Sequence, residues 1–370
     1  MEEVLMCCFG KIKNDGRILR SIDGIKNYTK KLSVVSFDDN RPNKEIDIFY
    51  QFSPRFGRIR NFVYFVYFIS KTIKKIKPSI VYLHDYYTCS LAFVVKIFSP
   101  STKIIYDAHE LLIDETRGGK KARTSFFSNL EKWTIKYVDK VIAANHDRAS
   151  IMYEEYKLKN FPLVIRNIPE RSQIQKVEID TQIRVFISLA RKKNKKIFVY
   201  QGAIVEGRGL EKYIRIFEQL HEKCVLIFVG DGPYFARLKN EAHGLVSKDV
   251  ILFAGRLNLA ELYSVLEKCD FGIISYVNSN WNNKYCAPNK LFEYASLCLP
   301  FITTNQSTIL QEIADYSFAL PVELNDSAGA IADKIEDYIG EYLFNEEEFE
   351  RFNSVNNFQS ERVAYKELFD

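Results

Sequence analysis

Val225-Leu226-Ile227-Phe228-Val229-Gly230-Asp231-Gly232-Pro233 is an apolar, β-rich run that stops at a turn bracketed by glycines and leads into a stretch of helical period. The glycines allow the backbone to approach what a Cβ would keep away. Pro233 suits a first helical position, where its missing N–H would have had no partner. A strand handed to a helix through so short a turn is half of a βαβ unit, and such units build parallel sheets. The same turn also serves a plain strand-to-helix connection with no ligand.

The alternation continues on either side. Strands are expected at Val4–Cys8, Leu32–Phe37, Ile46–Phe52, Ile80–His84, Ile104–Ala108 and Lys140–Ala144, and again at Ile197–Gln201, Val225–Val229, Val250–Ala254, Gly272–Tyr276, Phe301–Thr304 and Phe318–Pro321. Amphipathic stretches between them, among them Arg58–Lys75, Leu210–Gln219 and Asn289–Leu297, have helical spacing. The expected fold is α/β, two doubly wound Rossmann-like domains. The first spans 1–168, a linker 169–195, the second domain 196–343, and a helical tail 344–370 packs back on the first domain. The linker reading rests on Pro169 and on the basic cluster Arg191-Lys192-Lys193-Lys195-Lys196. No internal repeat stands out. Open α/β sheets bind ligands beyond the carboxyl ends of their strands, so two such sheets face to face predict a cleft between domains, with motifs just after strands.

Length and composition agree. At 370 residues and 47% hydrophobic content the chain has material for real cores, and 27% charge with only 10 Pro and 16 Gly excludes low complexity. The seven Cys are scattered and form no Cys-x-x-Cys pair, which argues against a disulfide framework or a thiolate zinc site. The opening Met1-Glu2-Glu3 carries acid where a secretory leader carries base, and no apolar run reaches the about 18 residues of a membrane span. A cytoplasmic protein is expected. Net charge is uneven: residues 1–170 hold 29 Lys+Arg against 19 Asp+Glu, and residues 171–370 hold 23 against 28. The first half should therefore face an anionic surface or substrate. Its basic residues follow no nucleic-acid module, so no nucleic acid is expected as a partner.

Two further motifs carry chemistry. After Ile197–Gln201 comes Gly202-Ala203-Ile204-Val205-Glu206-Gly207-Arg208-Gly209-Leu210, a loop with three glycines and an arginine ahead of a helix. Backbone N–H groups and a guanidinium there suit a diphosphate. Then Ala287-Pro288-Asn289-Lys290-Leu291-Phe292-Glu293-Tyr294-Ala295 opens a helix behind a loop rich in asparagine. Free amides and the positive dipole end would point at an anion, Lys290 adds charge, and Glu293 one turn on can accept from the two hydroxyls of a diol such as ribose. A buried helix with a capping Asn and an exposed Glu explains the apolar residues but not this spacing. No Asp-x-Asp occurs, which argues against a metal-chelated diphosphate.

The order Gly202…Arg208-Gly209, Phe228-Val229-Gly230-Asp231-Gly232-Pro233, Phe253-Ala254-Gly255 and Pro288-Asn289-Lys290-Leu291-Phe292-Glu293-Tyr294 resembles the donor domain of GT-B glycosyltransferases of family four. Leu83-His84-Asp85, Tyr106-Asp107-Ala108-His109-Glu110, Val138-Asp139-Lys140-Val141-Ile142 and Val164-Ile165-Arg166-Asn167-Ile168-Pro169 are similar to that family's acceptor-domain landmarks. The resemblance covers nearly the whole chain. It implies transfer of a sugar from a nucleoside-diphosphate-sugar, UDP-sugar favoured, to a hydroxyl of a saccharide or lipid-linked acceptor, with retention, in cell-surface polysaccharide assembly.

On that resemblance His109, Arg208 and Glu293 are the catalytic candidates. Gly202, Gly230, Asp231, Gly255, Arg256, Leu257, Ala287, Pro288, Asn289 and Lys290 are the donor-binding candidates. Asp15 and Arg17, in the loop after the first strand, join His84 and Asp85 on the acceptor side. No metal and no cofactor beyond the nucleotide-sugar co-substrate are expected. The main catalytic demand is stabilising negative charge on the departing diphosphate, which amides and cations supply without metal. Three positions depart from the family pattern: Tyr285 stands where a second Glu is common, Ala203 where an Arg is common, and Cys298 where a Gly is usual. A nucleotide-sugar 2-epimerase of the same architecture, or an inactive GT-B partner subunit, are the alternatives.

One segment stands outside these motifs. Between Asp47 and Asp85 there is no acidic residue, while bases at 55–77 flank Phe62-Val63-Tyr64-Phe65-Val66-Tyr67-Phe68-Ile69. Aromatic rings with Lys and Arg are the composition that dips into an anionic bilayer interface, so this element is expected to dock the first domain on the inner face of the membrane. A core helix with a basic exposed end is the other reading.

Overall fold

A computed structural model describes the chain except for Met1, Asn14, Asn43, 114–121 and 171–176, and leaves aside the side chains of Arg58 and 122–125. It divides into two compact units, one of Met1–Glu170 with Asn280–Asn282 and Phe358–Asp370, the other of Arg171–Ser279 with Asn283–Asn357.

The first unit is built on a parallel sheet of seven strands: β1 (Glu2–Cys8), β2 (Thr29–Ser36), β3 (Ile48–Gln51), β4 (Ile80–His84), β5 (Lys103–Asp107), β6 (Lys140–Ala143) and β7 (Leu163–Val164), in the order β3-β2-β1-β4-β5-β6-β7. Val4, Leu5, Met6, Cys7 and Cys8 are all buried, as a central parallel strand covered on both faces requires. Growth runs outward from β1 to β3 and then restarts at β4 on the other side of β1, so a topological switch point falls between β1 and β4. Phe358, Tyr365 and Leu368 join this unit's core, and Glu361 receives Arg166 at 2.8 Å.

The second unit holds a parallel sheet of six strands: β8 (Lys196–Gln201), β9 (Cys224–Val229), β10 (Ile251–Gly255), β11 (Phe271–Ile274), β12 (Phe301–Thr304) and β13 (Ala319–Val322), in the order β10-β9-β8-β11-β12-β13. Its switch point lies between β8 and β11. The helix Leu210–Gln219 buries Leu210, Tyr213, Ile214 and Phe217, spaced three and four apart, against this sheet. Among the described residues, no helix is long and apolar enough to cross a membrane.

Three expectations about organisation are revised. Much of the segment read as a linker is the helix Thr181–Lys192, capped by Asp180 through the Gln182 amide at 2.7 Å. Ile183, Phe186, Ile187 and Ala190 bury one face of it, so it is part of the second unit rather than a tether; residues 171–176 of the linker lie outside the described residues. The tail is split. The helix Glu346–Val355 belongs with the second unit, where Phe349 stacks on Phe318 at 4.4 Å, whereas Phe358–Asp370 belongs with the first. Lastly, Asp15 and Arg17 are not in a loop. Asp15 caps the helix Gly16–Lys26, accepting from the amides of Arg17 and Ile18 at 3.1 Å each, and Arg17 lies in its first turn.

Candidate functional site

In the second unit the candidate donor residues gather around the β8/β11 switch. Gln201 and Gly202 end β8 and lead to Arg208; Tyr276 follows β11, and the chain then reaches Pro288, which caps the helix Asn289–Ser296. Pro288 has no side-chain cap, so no side chain of the cap residue accepts from the first-turn amides.

Lys290 places its Nζ 4.2 Å from the ring centroid of Tyr200 and 5.9 Å from that of Tyr276; the guanidinium carbon of Arg208 is 3.9 Å from the same Tyr276 centroid. Two cations beside one another repel, and stacking on ring faces offsets part of that cost. Burial first, and then Arg208, push the Lys290 ammonium down to about 7, with Glu293 acting the other way. Nη1 of Arg208 is buried and has no hydrogen-bond partner. An unsatisfied donor on a charged group costs upward of about 1–3 kcal/mol, so this arrangement is one that an anion would relieve.

Glu293 accepts a hydrogen bond from Nε2 of Gln201, and Oε1 of Gln201 is buried without a partner. The carboxylate is thus held on one side by an amide. Gly202 lets Lys290 lie across it: a Cβ there would meet Cε and Nζ of Lys290 at 2.9 Å.

The Gly-x-Gly turn has a different job. A Cβ on Gly230 would stand 1.9 Å from the carbonyl oxygen of Gly202, and one on Gly232 2.3 Å from that of Ile204. Backbone bonds Ile204 N to Asp231 O at 3.0 Å and Tyr234 N to Ile204 O at 3.1 Å lock the two loops together. These glycines hold the Gly202–Arg208 loop in place by allowing close backbone contact. The Asp231 carboxylate accepts from the Gly232 amide at 2.7 Å and is exposed. Gly255 ends β10 and Arg256 and Leu257 follow it, two strands from the switch. Ala287 and Asn289 are part-buried on either side of the buried Pro288.

In the first unit a second constellation forms at the β1/β4 switch. Asp107 ends β5 and is buried. Arg17 grips it with Nε at 3.0 and 3.2 Å from the two carboxylate oxygens and with Nη2 at 2.5 Å, while Nη1 donates to the carbonyl of Ile165 at 3.3 Å. Burial alone would raise the Asp107 carboxyl, but Arg17 foremost, then His109 and His84, hold it below the ordinary value. Arg17 is therefore buried and committed to Asp107 rather than presented to an acceptor.

His84, the last residue of β4, is buried, with Nδ1 3.1 Å from Nε2 of His109 and 3.5 Å from Oδ2 of Asp107. Arg148 holds the His109 backbone, donating from Nη1 to its carbonyl at 2.9 Å. Burial pushes His84 down to about 3 and His109 down to about 4, outweighing the nearby Asp107 in both cases, so both rings are neutral at pH 7. His84, Asp107 and His109 each offer an atom within 4.8 Å of the others, a spacing open to a metal ion. The guanidinium of Arg17 already covers both oxygens of Asp107, which leaves a cation a poor fit.

A cavity of about 80 Å³ opens beside this cluster, lined by Gly10, Lys11, Asp15, His84, Asp85 and His109 among others. Asp85 has φ +67°, a left-handed conformation that costs a non-glycine residue about 1–3 kcal/mol and that collects at functional sites. Burial pushes its carboxyl up to about 7, against the pull of the Tyr86 amide, which donates to it at 2.7 Å.

Sequence reading missed Gln201, Tyr200, Tyr276 and Arg148. Tyr276 and Gln201 had a visible signal, each being the last residue of an expected strand close to a candidate motif; Tyr200 and Arg148 had none.

Residues 182–352 match the family described as Glycosyl transferases group 1, and residues 31–167 match Glycosyltransferase Family 4. An uncharacterized glycosyltransferase of Methanocaldococcus jannaschii is 24% identical over 199 residues, 52% of this chain but only 48% of that relative, so the match spans about half of it. Among solved structures, Anabaena HepE in complex with UDP and glucose superposes with a TM-score of 0.74 at 14% identity, over 100% of this chain and 99% of that one. A trehalose-6-phosphate protein from E. coli bound with UDP-2-fluoro glucose gives 0.75 at 9% identity over 99% and 98%. The lipopolysaccharide outer core galactosyltransferase WaaB gives 0.67 at 14% over 98% of each chain. At such identities these likenesses show the fold.

Proposed function

Because this chain belongs to the GT-B glycosyltransferases, with a Family 4 first half and a group 1 second half, we propose that it transfers a sugar from a nucleoside-diphosphate-sugar to an acceptor hydroxyl with retention. The observation that carries this reading is the buried, unpartnered Nη1 of Arg208 beside Lys290, two cations on one aromatic ring. A diphosphate satisfies both. As the bond between the sugar C1 and the diphosphate breaks, its electron pair leaves on the phosphate oxygen, and the new charge falls where Arg208, Lys290 and the amides of the helix Asn289–Ser296 stabilise it. Glu293 takes the ribose hydroxyls, its carboxylate already oriented by Gln201. His109 hydrogen-bonds the transferred sugar, and the cavity beside Asp15 and Asp85 takes part of the acceptor.

UDP is the favoured nucleotide, supported by the UDP complexes of Anabaena HepE. The acceptor is a saccharide or a lipid-linked saccharide of cell-surface polysaccharide assembly. An anionic membrane contact through 55–77 supports the lipid-linked form, since the helix Arg58–Ile76 leaves Ile59 82% exposed and Val63 and Tyr67 exposed on the same stripe. Turnover needs no metal in this scheme.

The test is incubation with a panel of UDP-, GDP- and ADP-sugars, with and without a saccharide acceptor, reading released nucleoside diphosphate by chromatography in the presence of EDTA. Release that depends on acceptor and ignores EDTA is the expected result. Interconversion of sugar epimers without release would instead mean an epimerase, and no reaction with any donor would sink the transfer reading.

A further inference from the structure

We propose that His84 is a positioning residue that fixes His109 in its Nδ1–H tautomer, so that the nitrogen His109 turns away from His84 is a hydrogen-bond donor. The role assigned to that donor, contact with the transferred sugar, rests on the transfer reading above; the tautomer itself does not.

The starting point is the 3.1 Å approach of Nδ1 of His84 to Nε2 of His109. Two neutral imidazoles at that distance share one proton, and either ring can donate it. If His109 donates from Nε2, the proton of His84 must sit on its Nε2. That atom is buried and has no hydrogen-bond partner, and an orphaned buried N–H is among the least tolerated features of a fold. The bare lone pair on Nδ1 of His84 would then face Oδ2 of Asp107 at 3.5 Å, acceptor against acceptor.

If His84 donates from Nδ1, the orphaned N–H vanishes, and the approach of a bare nitrogen to Oδ2 of Asp107 lengthens from 3.5 Å to the 3.8 Å of Nε2 of His109. Its proton lies between Nε2 of His109 and the Asp107 carboxylate, and the orphan on the far side of His84 is a bare nitrogen, which loses less on burial than an N–H. The low proton affinity of both rings agrees with a single shared proton rather than an imidazolium. His109 must then carry its own proton on Nδ1.

Arg17 completes the arrangement. By gripping both oxygens of Asp107 it keeps that carboxylate charged and fixed, and the fixed carboxylate makes Nδ1 the preferred protonation site of His84. The chain of effect runs Arg17, Asp107, His84, His109, within one unit of the fold. His109 is mostly buried yet lines the cavity that also holds Asp15 and Asp85, so its free nitrogen is available to a ligand.

The experiment is a long-range proton–nitrogen correlation spectrum of the full chain labelled at its imidazole nitrogens, at pH 7, with His109 assigned from a His109→Gln variant. His109 is expected to show a protonated Nδ1 and a bare Nε2. His84→Asn carries an amide donor where Nδ1–H stands and should keep the Nδ1–H tautomer of His109. His84→Leu removes the donor; His109 should change or mix tautomers, and kcat should fall about 100-fold, as for other preorganised donors, with the KM for nucleotide-sugar little changed. A protonated Nε2 on His109 in the unmodified protein overturns the proposal, and so does a leucine variant that retains the Nδ1–H form. Because the spectrum is read without substrate, a chain that turns over no nucleotide-sugar would fail the transfer reading while leaving the tautomer to be decided on its own.

Discussion

Arg208 and Lys290 stack on the same ring, that of Tyr276, with the guanidinium carbon 3.9 Å and the ammonium 5.9 Å from its centroid. They come from opposite sides of the point where the second sheet reverses its direction of growth, one after β8 and one after β11. An anion placed there offsets their mutual repulsion, which adds to the larger effect of burial in lowering the proton affinity of Lys290.

Lys290 should therefore link donor affinity to pH. In the free protein its ammonium, lowered to about 7, is largely neutral at pH 8, and a bound diphosphate restores the charge. Binding of UDP at pH 8 should take up about one proton, with affinity falling as pH rises from 7 to 9. The stability sign follows the same shift. Between about 7 and the ordinary 10.5 the unfolded chain holds a proton that the folded chain lacks, so this group makes stability rise with pH in that window. Calorimetry in buffers of different ionisation enthalpy measures the uptake, and Lys290→Met should abolish both effects. Zero uptake at pH 8 would show that Lys290 does not meet the phosphates.

Glu293 reads the diol in this scheme. Glu293→Gln keeps the shape and replaces one acceptor oxygen by a donor. The Kd for UDP should rise by about 10- to 100-fold, the equivalent of about 1.5–3 kcal/mol for a hydrogen bond to a charged group. A 2′,3′-dideoxy nucleotide should bind the variant and the unmodified protein alike. Equal weakening of both nucleotides would move Glu293 off the ribose.

How much of this was legible in the chain follows from how far apart the cooperating residues lie. The doubly wound sheets were legible because each buried parallel strand, Val4–Cys8 or Val225–Val229 for instance, is a continuous apolar run closed by a turn. The two-residue β7, Leu163–Val164, is too short to show any period. The helix Gly16–Lys26 carries Ile18, Ile22 and Ile25 at helical spacing but opens on a glycine, which hides that Arg17 belongs to its first turn. The Pro288 motif was visible because a helix end that meets an anion needs its Pro, Asn and Lys adjacent in sequence. The grip of Arg17 on Asp107 joins residues 90 positions apart, and that of Gln201 on Glu293 residues 92 apart. Neither has a local signature; only the strand order brings them together.

The Arg17–Asp107 pair should dominate the stability of the first unit's site. Asp107→Asn leaves a buried guanidinium without its counter-charge, and such changes cost about 3–5 kcal/mol. Asp107 is held below its ordinary value, so its contribution is fully present above the usual carboxylate value and is lost as pH falls from there through the lowered one. Urea unfolding at pH 7 should show the full loss in the variant, narrowing as pH falls below the usual carboxylate value and the folded Asp107 takes up its proton. A variant as stable as the parent at pH 7 would mean that water, rather than the fold, solvates this pair.

The helix Arg58–Ile76 has one apolar face buried in the fold and a second apolar stripe exposed. Phe65, Ile69 and Ile73 are buried along one face, while Ile59, Val63 and Tyr67, also four apart, stand exposed along another. The ammonium of Lys71 is 4.8 Å from the Tyr67 ring, and that of Lys74 lies 4.0 Å from the ring of Phe98, itself exposed next to the exposed Ile97. Apolar residues rimmed by lysines, on a helix that contains no acid, are what the proposed contact with anionic lipid would use, each base near the membrane contributing about 1 kcal/mol. The protein should float with vesicles containing phosphatidylglycerol at low salt and separate from them near 1 M salt, where the Debye length falls to about 3 Å. It should not float with phosphatidylcholine alone. Val63→Asp places a charge in the exposed stripe without touching the buried face, and should abolish flotation while leaving UDP affinity intact. Flotation that survives this substitution, or that fails on anionic vesicles at low salt, would assign the stripe to some surface other than the bilayer.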